Sequence, residues 1–175
     1  RIIALHAIDR SSNLLGSIKR NHGSMQIRKT SHLDILAITL IEEQCFSIHN
    51  RLSLFDIRDL YNRTSLWNGW SSFVAIKHDK VIAFYFLQIK CNICRIYDIA
   101  VDPECRNKGV ASKLLENIIF AGKESNINIF TLEVNEYNVQ AIKLYEKFGF
   151  KQIKIIPNYY SDSNGIRMRK ICPLV

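Results

Sequence analysis

Several features are missing from this sequence, and each absence closes off a class of protein. No apolar run approaches the ~18 residues that cross a bilayer, so no transmembrane helix and no membrane partner are expected. Internal repeats and low-complexity tracts are absent. Cys91-Asn92-Ile93-Cys94 is a C-x-x-C, but no second cysteine pair or histidine cluster stands at ligand spacing to complete a zinc site. It reads either as half a metal or redox site or as two small side chains around a turn. The turn is the expectation, with no metal bound. The five cysteines (Cys45, Cys91, Cys94, Cys105 and Cys172) are odd in number and scattered, with no secretory signal ahead of them. That usage fits a reducing compartment, so a cytoplasmic location is expected.

Acid is also in short supply. Twenty-four Lys and Arg face sixteen Asp and Glu, a net charge of +8. A basic balance favours anionic partners but does not separate a nucleotide cofactor from a nucleic acid. The cations are spread along the chain rather than clustered, which speaks against nucleic acid. Residues 1–24 are poorest in acid, with Arg1, Arg10, Lys19 and Arg20 against Asp9. They read as a leader or extension outside the domain, or as an amphipathic presequence, with one domain expected over residues 25–175. The 175 residues suffice for one domain with a real core.

What is present is organised around Arg95–Leu115, which reads as a strand, a basic turn and a helix. The strand runs from Arg95 to Val101 and is stopped by Asp102-Pro103. The helix repeats apolar residues at Val110, Ala111, Leu114, Leu115, Ile118 and Ile119. Between them lies Arg106-Asn107-Lys108-Gly109-Val110-Ala111. Free N–H groups at a helix start make an anion site, and a glycine lets a phosphate approach the backbone. A phosphate-bearing ligand at residues 106–112 is the first expectation.

The remaining elements follow in order. A short strand at Gln26–Lys29 precedes a helix whose expected buried face is Leu33, Leu36, Ala37, Leu40, Ile41 and Cys45, with Glu42 and Glu43 toward its end. A second helix spans about Leu54–Tyr61, followed by a loop with Trp67 and Trp70, read as core or rim packing. Ser72–Ile76 and Val81–Ile89 form a hairpin around His78-Asp79-Lys80. Ile127–Val134 is a strand that carries Glu133 on its more polar side. Asn138 caps a helix that Gly149 ends. Strands at Phe150–Ile156 and Gly165–Arg169 flank a loop over residues 157–164. The order β-α-α-β-β-β-α-β-α-β-β defines a mixed α/β domain.

The hexamer at residues 106–111 resembles the R/Q-x-x-G-x-G/A turn of the GNAT superfamily of N-acetyltransferases. Its context carries the likeness: Asp98-Ile99-Ala100-Val101-Asp102-Pro103 before it, then Leu132-Glu133-Val134, Asn138, Ala141–Phe150 and Asn158-Tyr159-Tyr160. The set is most similar to the branch that acetylates protein N-termini, the ribosomal-protein-alanine N-acetyltransferases. The resemblance covers about Asp98–Tyr160, and element order extends it back to Met25. It implies a mostly antiparallel mixed sheet flanked by helices and acetyl-CoA as co-substrate. It further implies direct transfer to the N-terminal α-amine of a protein, ribosomal by preference. Ile99, Ala100 and Val101 would hydrogen-bond the pantetheine arm, with a backbone N–H toward the thioester oxygen. Arg106, Asn107, Lys108, Gly109, Val110, Ala111 and Ser112 would hold the pyrophosphate, and Asn138 would contact the cofactor. Glu133 would be general base and Tyr145 general acid, with Tyr159 and Tyr160 at the peptide entrance. Ala111 and Ser112 depart from the second glycine and following cation of many relatives; Ser112 adds a hydroxyl donor instead.

The chemistry admits these roles. An α-amine of pKa near ~8 must lose a proton before it attacks, and a phenol near ~10 can protonate a thiolate within hydrogen-bond reach. Glu133 can equally be a salt-bridged strand acid, Tyr145 a core tyrosine, and Asp98 a rival base. No covalent intermediate is required, so Cys105 is given no nucleophilic role. Two other readings stay open: another amine acceptor, either aminoacyl-tRNA or polyamine, and a non-catalytic acyl-CoA-binding regulatory module.

Overall fold

The computed structural model describes residues 24–66 and 69–173. The expectations for residues 1–24, Ser24 apart, and for Trp67 lie outside them. The order of elements matches that read from the sequence: β1 (Gln26–Lys29), α1 (Ile35–Cys45), α2 (Leu54–Ser65), β2 (Trp70–Lys77), β3 (Lys80–Lys90), β4 (Ile93–Val101), α3 (Val110–Glu124), β5 (Ile129–Asn135), α4 (Val139–Lys147), β6 (Lys151–Tyr160) and β7 (Ser163–Ile171). One sheet of seven strands runs β1-β2-β3-β4-β5-β7-β6. Every neighbouring pair is antiparallel except β4 and β5, which are parallel and joined through the α3 crossover. No described helix is long and apolar enough to cross a membrane.

The sheet carries a core on each face. On one face α3 brings Val110, Leu114, Leu115, Ile118 and Ala121, and α4 brings Tyr145, against Phe73, Tyr85, Ile96, Phe130, Leu132 and Met168. On the other, Ile35, Ile38 and Ile41 of α1 and Ile57 and Leu60 of α2 cover Val74, Phe84, Phe86 and Ala100. Burying a large apolar side chain contributes about 1.5–3 kcal/mol, so these two clusters hold the helices to the sheet.

Two expectations are corrected. The buried face of α1 is Ile35, Ile38, Ile41 and Glu42; of the expected face Ile41 is buried and Ala37 and Cys45 are half-buried, whereas Leu36, Leu40 and Leu33 just before the helix are exposed. The helix is apolar nearly all round, so two stripes satisfy the same i, i+3, i+4 spacing, and β-sheet contact selects the isoleucine one. The expected loop at residues 157–164 is mostly strand: β6 continues to Tyr160 and turns at Ser161-Asp162 into β7. Pro157 is tolerated because β6 is the outer strand and its pairing with β7 is irregular between Ile156 and Tyr160.

Candidate active site

The site is a gap in the sheet. The β4–β5 pairing covers only Ile93–Ile96 against Ile129–Leu132; past Ile96 and Leu132 the two strands have no register with each other. Tyr97–Val101 therefore borders a cleft of about 530 Å³ on one side, with Leu132, Glu133 and Val134 on the other. The Asp102 amide donates to the Ile82 carbonyl on β3 at 2.9 Å. Backbone groups alternate sides along a strand, so the N–H groups of Ile99 and Val101 point the other way, with the Val101 N–H toward the cleft and the Ile99 N–H engaged by the Asp98 carboxylate.

At one end the cleft meets the start of α3. Gly109 caps that helix in the left-handed region (φ 76°), and Asn107 sits there too (φ 59°). A Cβ at Gly109 would meet nothing within 4 Å, so the space beside the first turn is open to a ligand. Arg106, Asn107 and Gly109–Ser112 all line this end. The first N–H groups of an α-helix have no acceptor within it, which suits them to an anion. These observations fit a pyrophosphate. Lys108 is the exception among the turn residues expected at the site. Its ammonium donates to the Glu104 carbonyl at 2.7 Å, and it does not line the cleft. Arg106 donates to the Val101 carbonyl and, at 3.0 Å, to the Cys45 sulfur. Burial raises the Cys45 thiol above its ordinary value, which keeps it a thiol.

The middle of the cleft holds Glu133, Tyr145, Asn138 and Tyr160. The Glu133 side chain is only 4% exposed, and each oxygen accepts from a guanidinium: Arg95 Nε to Oε2 and Arg167 Nε to Oε1, both at 2.8 Å. Arg95 Nη2 also lies 2.8 Å from Oε2, so of the two oxygens, each with two lone pairs, Oε1 is the one that keeps a second acceptor position. Tyr145 is buried, and burial first, then the charge of Asp98, raise its phenol well above the ordinary tyrosine value. It therefore stays protonated at neutral pH. Asn138 caps α4 by accepting from Ala141 N–H at 3.2 Å.

Beside the cleft, sharing Phe46, Tyr97 and Asp98 with it, lies a vestibule of about 290 Å³ also lined by Glu42, Asn50, Leu52, Arg95 and Tyr159. Tyr159 faces this vestibule and Tyr160 the main cleft, their rings set edge to face at 5.1 Å. Gly165 permits that placement, because a Cβ there would sit 2.9 Å from the Tyr159 ring. The Tyr159 hydroxyl accepts from Arg95 at 3.0 Å, and the hairpin tip reaches the α1–α2 loop through Ser161 N–H on Asn50 Oδ1 at 3.0 Å. Of the tryptophans, Trp70 is core and packs edge-on against Tyr97 at 5.0 Å. Cys91 is exposed at the β3–β4 turn and Cys94 is buried, its thiol pushed up to about 12. Among the described residues no group of His, Cys, Asp or Glu has the makings of a metal site.

Three features here escape a reading of the sequence. Arg95 and Arg167 give no sign of being partners of Glu133, because strand register brings them together. Glu42 stands out only by its position near a helix end, though it extends the Ile38-Ile41 stripe and so is an acid on a buried face. The third is a β-bulge at Tyr97: Ile96 pairs with Leu87 and Asp98 with Phe86, leaving Tyr97 without a partner. The bulge turns Asp98 and Ala100 toward α1 while Ile96 still packs beneath α3.

A sheet opened between parallel strands, with a helix start at the mouth of the opening, defines the class. The acetyltransferase (GNAT) family matches residues 36–150, and the chain belongs to that family: it is an acetyltransferase with acetyl-CoA as co-substrate. The [ribosomal protein bS18]-alanine N-acetyltransferase of Haemophilus ducreyi is 36% identical over 107 residues, 59% of this chain and 74% of that protein. Its Escherichia coli counterpart is 33% identical over 94 residues, 54% of this chain and 64% of that protein. The solved E. coli structure superposes with a TM-score of 0.71 over 86% of this chain and 96% of that one, at 27% identity. Ard1 from Thermoplasma volcanium superposes with a TM-score of 0.75 at 31% identity, over 85% of this chain and 98% of that one.

Proposed function

We propose that this acetyltransferase acts on the N-terminal α-amine of a protein, with a ribosomal protein as acceptor. The carrying observation is the adjacency of two cavities: the cleft from the start of α3 past Glu133 and Tyr145, and the aromatic vestibule beside Tyr159, which share Phe46, Tyr97 and Asp98 as walls. A thioester laid along β4 would meet an amine arriving from the vestibule. The names of the relatives support the same acceptor class.

Acetyl-CoA supplies an activated acetyl group. Asn107 and Gly109–Ser112 hold its pyrophosphate through backbone N–H groups and the Ser112 hydroxyl, with Arg106 and Lys108 contributing positive charge and Asn138 a further contact. The Ile99–Val101 edge binds the pantetheine amides, and a free N–H there faces the thioester oxygen as it gains charge. Glu133 takes a proton from the attacking nitrogen through a free lone pair, held in place by Arg95 and Arg167. Tyr145 gives a proton to the departing sulfur. Tyr159 and Tyr160 flank the acceptor's first residues.

Acetyl transfer from labelled acetyl-CoA to a panel of N-terminal peptides tests the reading, with a polyamine and an aminoacyl-tRNA as other acceptors. Peptides react under this proposal, and Glu133→Gln and Tyr145→Phe each lower kcat by about 10²-fold or more. Turnover only on tRNA or polyamine replaces the acceptor; full activity in both variants removes the mechanism.

A further inference from the structure

Glu42 and Asp98 have no part in the roles above, yet they form an unusual arrangement in the molecule. Glu42 is 1% exposed and lies at the end of the buried stripe of α1. Its Oε1 accepts from Leu52 N–H at 2.8 Å, which ties the α1–α2 loop to the helix. Its Oε2 is sealed from solvent and has no hydrogen-bond donor, and the same is true of Asp98 Oδ2. The bulge at Tyr97 turns Asp98 toward α1, and the two carboxyl groups come within hydrogen-bonding reach of each other. Two ionised carboxylates offer only acceptors, so this contact is satisfied only with one proton between them. Asp98 is also, among the described residues, the one acid that borders both cavities.

We propose that Asp98 and Glu42 are a proton-sharing carboxyl pair that receives the incoming acceptor as an ammonium ion and removes its first proton. The proposal rests on the acceptor being an amine. At neutral pH an α-amine is mostly protonated and must lose two protons on its way to the amide. The first leaves the ammonium: its N–H bond breaks, an O–H bond forms on Asp98, and the electron pair left on nitrogen becomes the nucleophile. The pair then releases that proton to solvent through the open vestibule. The second leaves during C–N bond formation, to Glu133. Asp98 is the catalytic residue of the pair, and Glu42 a positioning residue that sets its basicity.

The surroundings favour a retained proton. Burial is the main cause raising both groups above the ordinary carboxylate range, and for Glu42 the charge of Asp98 adds to it. The Leu52 amide and Arg51 oppose this on Glu42; on Asp98 the Ile99 amide and then the Glu42 hydrogen bond oppose it, so the retained proton sits mainly on Glu42 and Asp98 is the more acidic member. Cys45 and Arg106 lie alongside. Tyr145 and Tyr160 feel the Asp98 charge. Arg95, Tyr97 and Tyr159 line the vestibule wall, with Glu133 across the cleft.

Profiles of kcat/KM against pH on the best peptide test the pair. In Asp98→Asn the rate falls on the order of ten-fold at pH 6.5 and recovers above the pKa of the amine, near ~8, where free amine is supplied by solution. Glu42→Gln keeps an acceptor for Leu52 and gives Asp98 a fixed donor, so the acid limb of the profile moves to lower pH. Opposite displacements in the two variants support the pair; a uniform loss at every pH in both, or no loss in either, overturns it. Carboxyl carbon NMR titration of the free protein gives a readout independent of the acceptor. One proton persists above the ordinary carboxylate range in the wild type and is lost in Glu42→Gln. Ordinary titration of both groups refutes the pair whether or not any peptide reacts.

Discussion

Gly109 shows how much one residue can settle. It is left-handed, it caps α3, and its missing Cβ leaves open space at the mouth of the cleft. Gly109→Ala introduces about 1 kcal/mol of backbone strain and places a methyl where a phosphate oxygen would approach. The expected result is a KM for acetyl-CoA raised about ten-fold with a small shift in the urea midpoint. A lost midpoint with unchanged KM would place the pyrophosphate elsewhere. This part of the site was legible because turn chemistry is local: a cation, a glycine and a small residue before an apolar 3.6 repeat carry their geometry with them. The surroundings of Glu133 were not legible. Arg95 and Arg167 are 38 and 34 residues away from it in the chain, and only strand register makes them neighbours.

At the scale of elements, α1 is the instructive case. Its existence and length were readable, but its orientation was not, because leucine and isoleucine stripes compete on a helix apolar on most sides. The buried choice matters to chemistry, since it is the isoleucine stripe that carries Glu42 to Asp98. Ile38→Ala is expected to cost about 2–4 kcal/mol in urea denaturation, whereas Leu36→Ala stays within about 0.5 kcal/mol. The reverse ranking would restore the leucine face. β6 teaches a related lesson. Proline and asparagine at residues 157–158 signal a loop in isolation, but the outer strand of a sheet accommodates both, with Asn158 left-handed at φ 53°.

For the whole molecule, the raised carboxyl pair makes folding itself sensitive to pH. Unfolded carboxylates titrate near ~4, while the folded pair holds its proton higher. Between those limits the native state binds more protons than the unfolded one, so the pair's contribution to stability is intact at low pH and is lost as pH rises through the pair's own titration. Urea unfolding from pH 5 to 8 should show Glu42→Gln gaining on the wild type as pH increases. The gain is about 1.4 kcal/mol for each tenfold by which the substitution weakens proton binding at the pair. A constant difference across that range would mean that no proton is shared. Topology was the least legible level. The element order was readable, but the insertion of β7 between β5 and β6, and the parallel join of β4 to β5, depend on contacts between distant parts of the chain.

That parallel join reaches beyond catalysis. Strands β2–β4 close up through local hairpins, β1 joins them across α1 and α2, and β5–β7 form a second antiparallel group. Only four residue pairs stitch the two groups into one sheet. The chain therefore has a seam, with the loop-closure entropy of the α3 crossover concentrated on a short ladder. On the proposed function, a pantetheine arm lying in the opening would take the place of the missing rungs along β4. Substrate binding would in this sense complete a sheet that the polypeptide leaves unfinished.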